Sequence, residues 1–438
     1  MYTTILDFFK LIYPWLEVLA AISGAIGLIV LLWQGWKFFK KRYSVVSYMH
    51  SVEEINMKFS SLLKKKDNST FYSMPYQNPN NSLHQLDGSC LLDHYSDEMK
   101  QLTIQRKTEE GNEICDIKIP YKEIINFIDT PDAKITIDSQ KIEKEFALDK
   151  EIEKATEELL EKIIEKKNPH DDPHPRMASL EKEAGKDNYK CSFEVTHYFN
   201  QIRTNLSVDH SINLAGKHTT LRTEELKISP KKLPELSESK LANVVGVSAI
   251  WCINPTDPYN MQFYLLPRKK SVGVYENCFG MPSGDIECPK DNTFPSTSLV
   301  EYLKNEITRE FTEETGIYDK NKDAKEYMKD NNGQNIFKKI FRNFLSYSTE
   351  LEVIPLAFLR EHLRGGKPQM FFIIKTKNIS KFRLRLSFWS SQDGPKEFNN
   401  EVVSDAKLSP EVACNYLYAQ AYLQSGGGGM PEFINVSN

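Results

Sequence analysis

Arg309-Glu310-Phe311-Thr312-Glu313-Glu314-Thr315-Gly316-Ile317 places three carboxylates and one guanidinium within six residues and then stops at a glycine. Spacings of three and four put Glu310, Glu313 and Glu314 on one helical face. Carboxylates that close repel one another, and a hard divalent cation such as Mg²⁺, which takes oxygen ligands, would neutralise them. The alternative is a solvated acidic helix end.

The elements around this stretch are those that must hold it. Ser298 and Glu301 form an S-x-x-E capping box, which predicts a helix over 299–312 with Val300, Leu303, Ile307 and Phe311 as its apolar stripe. Before it, Phe279-Gly280-Met281-Pro282-Ser283-Gly284-Asp285-Ile286-Glu287 forces a tight bend with exposed backbone amides. Strands are expected at Tyr189 to Tyr198, Leu206 to Leu214, Val244 to Ile253, Phe263 to Leu266, Val353 to Leu359 and Met370 to Lys375. Residues 318–350 read as an insertion or helical excursion, and Pro410 to Gln424 as a final helix before a glycine-rich tail.

Further upstream, residues 52–66 predict a short amphipathic helix and residues 67–89 a loop. Cys90 to Asp138 is strand-like, and Ser139 to Lys167 is helical by the spacing of Ile142, Phe146, Ile152, Leu159, Leu160 and Ile163. Residues 168–187, with His170 and His174 in NPHDDPHP, read as a polar linker rather than a metal tract. Seven cysteines without a CxxC fit free thiols in a reducing compartment.

The 438 residues leave room for two or three domains. A net charge of −4 does not favour duplex nucleic acid as a partner. Mean hydropathy is −0.48, so a membrane signal must be local. Val18 to Trp36 has no ionisable residue, enough to span a ~30 Å hydrocarbon core. Trp15, Trp33 and Trp36 lie near its ends, and Lys37, Lys40, Lys41 and Arg42 follow. The positive-inside rule then predicts a single-pass protein of the cell membrane, N-terminus outside and the rest cytoplasmic, with the lipid bilayer as a partner. Ala20/Gly24 and Ser23/Gly27 offer small residues for self-association into a homo-oligomer. The resulting plan is α/β: an anchor over 1–42, a small mixed α/β module over 45–167, a linker over 168–187, a second domain over 188–425 and a tail over 426–438.

The loop and helix together resemble the Nudix box, G-x5-E-x7-R-E-U-x-E-E-x-G-U with U apolar. Arg309 to Ile317 satisfies the second half at every position, with Glu301 at the required distance. In the first half, Ser283 replaces the first of the usual paired glycines and Gly284 the second. Sixteen residues, rather than five, separate Gly284 from Glu301, so an eleven-residue insertion lies at roughly Cys288 to Ser298. The resemblance implies a C-terminal Nudix-type α/β/α sandwich with a mixed sheet. It implies Mg²⁺ or Mn²⁺ held by Glu310, Glu313 and Glu314, and Arg309 fixing a glutamate. It also implies nucleotide binding near Arg268, Phe279 and Gly284, with Glu397 or Glu401 as a general base beside the catalytic Arg309 and Glu314. Combined with the expected span, the chain is similar to membrane-anchored Nudix effectors of bacterial CBASS anti-phage systems. That likeness implies a response to a cyclic-oligonucleotide messenger. A housekeeping pyrophosphatase is the alternative.

Overall fold

The computed structural model describes residues 49–63, 88–108, 111–256, 261–268, 278–320, 347–377, 379, 384, 407–425 and 434–437. All belong to one of the two units into which the chain divides, Tyr48–Asn399 with Val403–Asn438.

Seven strands form the main sheet: Met49–Ser51 (β1), Tyr121–Asn126 (β2), Gly246–Ile253 (β3), Gln262–Tyr264 (β4), Ser283–Asp285 (β5), Glu352–Glu361 (β6) and Lys367–Thr376 (β7). Their order is β1-β4-β3-β7-β6-β2, with β5 paired to the first half of β3. β3 and β7 run parallel from Gly246↔Gln369 to Ile253↔Thr376, and the other pairings are antiparallel. At Pro355, which has no N–H to donate, the β6–β7 register shifts, and Leu356 turns its carbonyl to Phe127 N at 2.9 Å.

β3 reads GVSAIWCI, and every residue in it is buried, as suits a strand covered on both sides. β1 leads straight into helix Val52–Leu63 (α1). Trp251 meets Phe311 edge-on at 4.9 Å, on helix Leu299–Thr315 (α2). The adjacent Cys252 pairs with Phe263, whose ring meets Tyr416 at 5.2 Å on helix Pro410–Ser425 (α3). Successive strand residues point to opposite faces, so α2 and α3 cover the two sides. A smaller sheet, ordered Lys134–Ile137, Asn188–His197, Pro173–Lys182, docks on the start of α2: Ile137 N donates to Thr297 O at 2.8 Å.

Residues 233–243 have almost no regular structure, yet Leu233, Leu236, Leu241 and Asn243 are buried. Buried carbonyls need donors, and two buried arginines supply them. Arg176 donates to the carbonyls of Leu241, Leu236 and Ser239 at 3.1, 3.2 and 2.9 Å and pairs with Glu194 at 3.0 Å. Arg360 donates to Pro234 O at 2.7 Å and Gly366 O at 3.0 Å. A third, Arg222, holds the β6–β7 turn through His362 O at 2.6 Å and Leu363 O at 2.8 Å, with Asp209 as its counter-ion. That turn needs left-handed backbone at Gly365 and Gly366, φ 66° and 91°, and a Cβ on Gly366 would stand 2.7 Å from Arg360 Nη2.

Several expectations are corrected. No helix among the described residues is long and apolar enough to cross a membrane. Residues Val18 to Trp36 lie outside the described residues. The single-pass anchor, and the cell-membrane location that depended on it, are withdrawn as parts of the fold. Residues 45–167 are not a module apart: β1 and β2 come from that span and pair with β4 and β6. The supposed linker contains strand Pro173–Lys182, paired along its length with Asn188–His197. Residues 90–95 are helical rather than extended, within Gly88–Tyr95. Helix begins only at Lys150, because Ile142 N and Phe146 N donate instead to Asn292 O and Val195 O. Leu206 to Leu214 is extended only at Ile212–Leu214.

Arg360→Met leaves two buried carbonyls without donors and is expected to destabilise by about 3 kcal/mol, read as a lower urea midpoint at unchanged slope. Acid also acts at the turn. Burial pushes the His362 imidazole below its ordinary value, against the pull of Glu98, whose carboxylate lies 3.2 Å away. The unfolded chain therefore takes up this proton first, at about pH 6.5. Stability from this group is full above that pH and falls on acidification below it. Denaturation at pH 7.5 and 5.5 should show a loss that His362→Gln reduces.

Candidate functional site

Ser298 caps α2, its hydroxyl accepting Glu301 N at 3.4 Å. Gly316, at φ 70°, ends the helix in left-handed backbone, its N–H donating to Thr312 O at 2.8 Å. The acidic stretch therefore occupies the last turns of a continuous 17-residue helix. Its sheet-facing side is partly Phe311, packed on Trp251, and Glu314 is 1% exposed.

Arg309 is the hub. Its Nη1 donates to Glu313 at 2.8 Å, and its Nη2 to Glu310 at 2.6 Å and Glu306 at 3.1 Å; Glu287 of the preceding loop stands 3.5 Å away. Burial works against the charged guanidinium, yet Glu310, Glu306, Glu313 and Glu287 together raise its pKa above the usual arginine value. Four carboxylates surround one guanidinium, so a surplus of negative charge remains.

The loop under the helix is held as closely. β5 pairs with β3, and Gly284 faces α2 so tightly that a Cβ would stand 2.4 Å from the Glu310 carboxylate carbon. Glu287 N donates to Glu306 at 3.1 Å, and Tyr302 donates its hydroxyl to Glu287 O at 2.8 Å. His174 Nδ1 lies 2.8 Å from Ile286 O. The inserted residues that follow are docked, not loose. Asn292 O accepts Ile142 N, Phe294 N donates to Gln140 O, and the Phe294 ring meets Phe193 and Tyr302, each at 4.9 Å.

Of the residues expected at a site, the structure brings Glu310, Glu313, Arg309 and Gly284 together, with Glu314 one turn beyond Glu310. Arg268 adjoins them, Nη1 donating to Ser283 Oγ at 3.4 Å. Phe279 faces elsewhere: it is 3% exposed, with the His50 ring at 5.0 Å and Lys58 Nζ 4.7 Å from its ring. Glu397 and Glu401 lie outside the described residues. Glu306, Glu287 and Asp285 were not singled out from the sequence. Glu306 had a signal, three residues before Arg309; His174 and Gln201 had none, since their contacts close over 112 and 84 residues.

Among the described residues no three His, Cys, Asp or Glu side chains are set as a metal centre. Glu306, Glu310 and Glu313 turn their oxygens to Arg309. The donor chemistry nonetheless fits a hard divalent cation: surplus carboxylate oxygens beside a glycine whose missing side chain leaves the space they occupy. His170 and His174 are not part of such a set, His174 being engaged with the Ile286 carbonyl.

Comparison with known proteins returns no matching family model and no matching curated protein.

Arg309→Gln leaves the carboxylates uncompensated and is expected to destabilise by about 3–5 kcal/mol at neutral pH. Millimolar Mg²⁺ should recover part of that loss in thermal melts of the variant. Equal destabilisation with and without Mg²⁺ would show that the carboxylates do not attract the cation.

Proposed function

We propose that this chain is a Nudix-type hydrolase of phosphate anhydrides dependent on Mg²⁺ or Mn²⁺, acting on a nucleoside diphosphate derivative. From the resemblance stated above, without its membrane anchor, we further propose that it serves as the effector of an anti-phage response of the CBASS kind. The observation that carries the enzymatic reading is the meeting of two sequence-distant parts: the Glu310 carboxylate seated on Gly284 while Arg309 binds Glu310 and Glu313.

The cation, when bound by Glu310, Glu313 and Glu314, supplies charge neutralisation for a diphosphate and a more acidic water. The chain's own groups do the rest. Arg309 gathers Glu310 and Glu313 at the end of α2, and a cation would share their oxygens with the guanidinium. Gly284, having no side chain, leaves the room in which the Glu310 carboxylate lies against β5. Arg268, beside Ser283, places a guanidinium where it would meet phosphate oxygens.

A second reading, capture of a cyclic oligonucleotide without cleavage, is favoured by the remodelled loop. Ser283 stands where the resembled pattern has a glycine, and the inserted residues tie the loop to Phe193 of the smaller sheet and to Ile142.

Full-length protein incubated with Mg²⁺ and a panel of nucleoside diphosphate derivatives and cyclic oligonucleotides separates these readings. Hydrolysis predicts phosphate-bearing products and a rate about 100-fold or more lower in Glu314→Gln. Absence of product across the panel, with wild type and Glu314→Gln alike, would overturn it. Binding of a cyclic oligonucleotide without turnover would favour the second.

A further inference from the structure

Gly284 owes its place to neighbours that lie outside the acidic motif. In β5 the residue after it, Asp285, pairs in register with Gly246 of β3. Its two carboxylate oxygens are both used: Oδ1 meets Lys367 Nζ at 2.7 Å, and Oδ2 accepts Gln201 Nε2 at 2.7 Å. Lys367 begins β7 and is 1% exposed; Gln201 lies on helix Tyr198–Arg203 and is also 1% exposed. Lys367 is itself braced by Gln369 Oε1 at 3.4 Å, and Gln369 donates to Ser248 Oγ at 3.2 Å and Glu411 at 2.9 Å. A carboxylate held from two sides by buried groups has one permitted position. Because β5 is only three residues long, that position also sets the height of Gly284 beneath Glu310.

We propose that Lys367, Asp285 and Gln201 form a clamp that positions the Gly284 backbone against Glu310 and thereby sets the affinity of the site for a divalent cation. This rests on the divalent-cation reading above. The clamp residues touch no cation themselves; they are positioning residues. A clamp with a purely structural role would change stability and leave the cation affinity of the folded protein unaltered.

Mn²⁺ is the probe, titrated into the full chain and followed by the electron paramagnetic resonance signal of the free ion. Two variants isolate the clamp. Asp285→Asn with Lys367→Met removes both charges together, so no unpaired charge is left buried. Gln201→Met removes one hydrogen bond and keeps the ion pair. Circular dichroism establishes that each is folded at the temperature used. The expected result is Mn²⁺ affinity about 10- to 100-fold weaker in the double variant and a smaller loss in Gln201→Met. If the double variant fails to fold, Gln201→Met decides. Wild-type affinity in the folded variants would overturn the clamp. Glu314→Gln separates the two ideas. Loss of Mn²⁺ in Glu314→Gln with normal binding in the clamp variants overturns the clamp alone. A wild type that binds no Mn²⁺ overturns the cation site and the clamp together.

Discussion

The fold depends on supplying donors to backbone carbonyls that are buried outside regular structure. Residues 233–243 and the turn after β6 run through the interior without a ladder of their own, and Arg176, Arg222 and Arg360 bind their carbonyls. The guanidinium is suited to this because one side chain serves several acceptors in a fixed geometry. Two of these segments flank the parallel β3–β7 pair: residues 233–243 lead into β3, and the turn leads into β7. The arginines thus hold the chain where it enters each strand.

The candidate site inherits that constraint. β7 starts at Lys367, immediately after Gly366, whose carbonyl Arg360 binds. Lys367 reaches Asp285, and β5 lies on β3, so the loop beneath α2 is located by the same strands that the arginines set in place. Arg309 then repeats the principle at the surface of α2, but with carboxylates in place of carbonyls. In both places a planar cation with several donors organises oxygens that would otherwise be costly to bring together. The difference is the balance of charge. Arg176 and Arg222 bind neutral carbonyls with one counter-ion each and Arg360 binds neutral carbonyls, whereas the carboxylates around Arg309 exceed it in number. That surplus sets the end of α2 apart from the interior clusters, and the proposed cation site draws on it.

The inserted residues after Glu287 bear on how such a site would be used. They do not hang from the molecule. Thr293, Phe294 and Thr297 are engaged by Lys141, Gln140 and Ile137. Glu287 and Tyr302, which border these residues, are hydrogen-bonded to each other, and Glu287 N donates to Glu306 beside Arg309.

Much of the local structure was legible in the residues themselves. Buried strands with β-branched and aromatic runs, such as β3 and β7, and the capped helix α2 follow from short-range chemistry: apolar periodicity, a serine cap and a terminal glycine. Arg309 and Glu313, four apart on a helix, have a spacing that brings side chains together, whereas the Arg309–Glu310 contact, one residue apart, did not follow from spacing. What tertiary structure decided was everything settled by distant partners. Residues 139–149 have helical spacing but give their amides to the insertion and to Asn188–His197. The run around Pro173 looks like a linker but finds a ten-residue strand to pair with. β1 and β2 look like parts of a separate module but join a sheet whose centre lies more than a hundred residues later. The acidic stretch by itself announced surplus charge on one helical face. Only the fold brought Gly284, Asp285, Lys367 and Gln201 to it, because contacts between remote segments depend on which surfaces can be buried together, and no short window of sequence contains both surfaces.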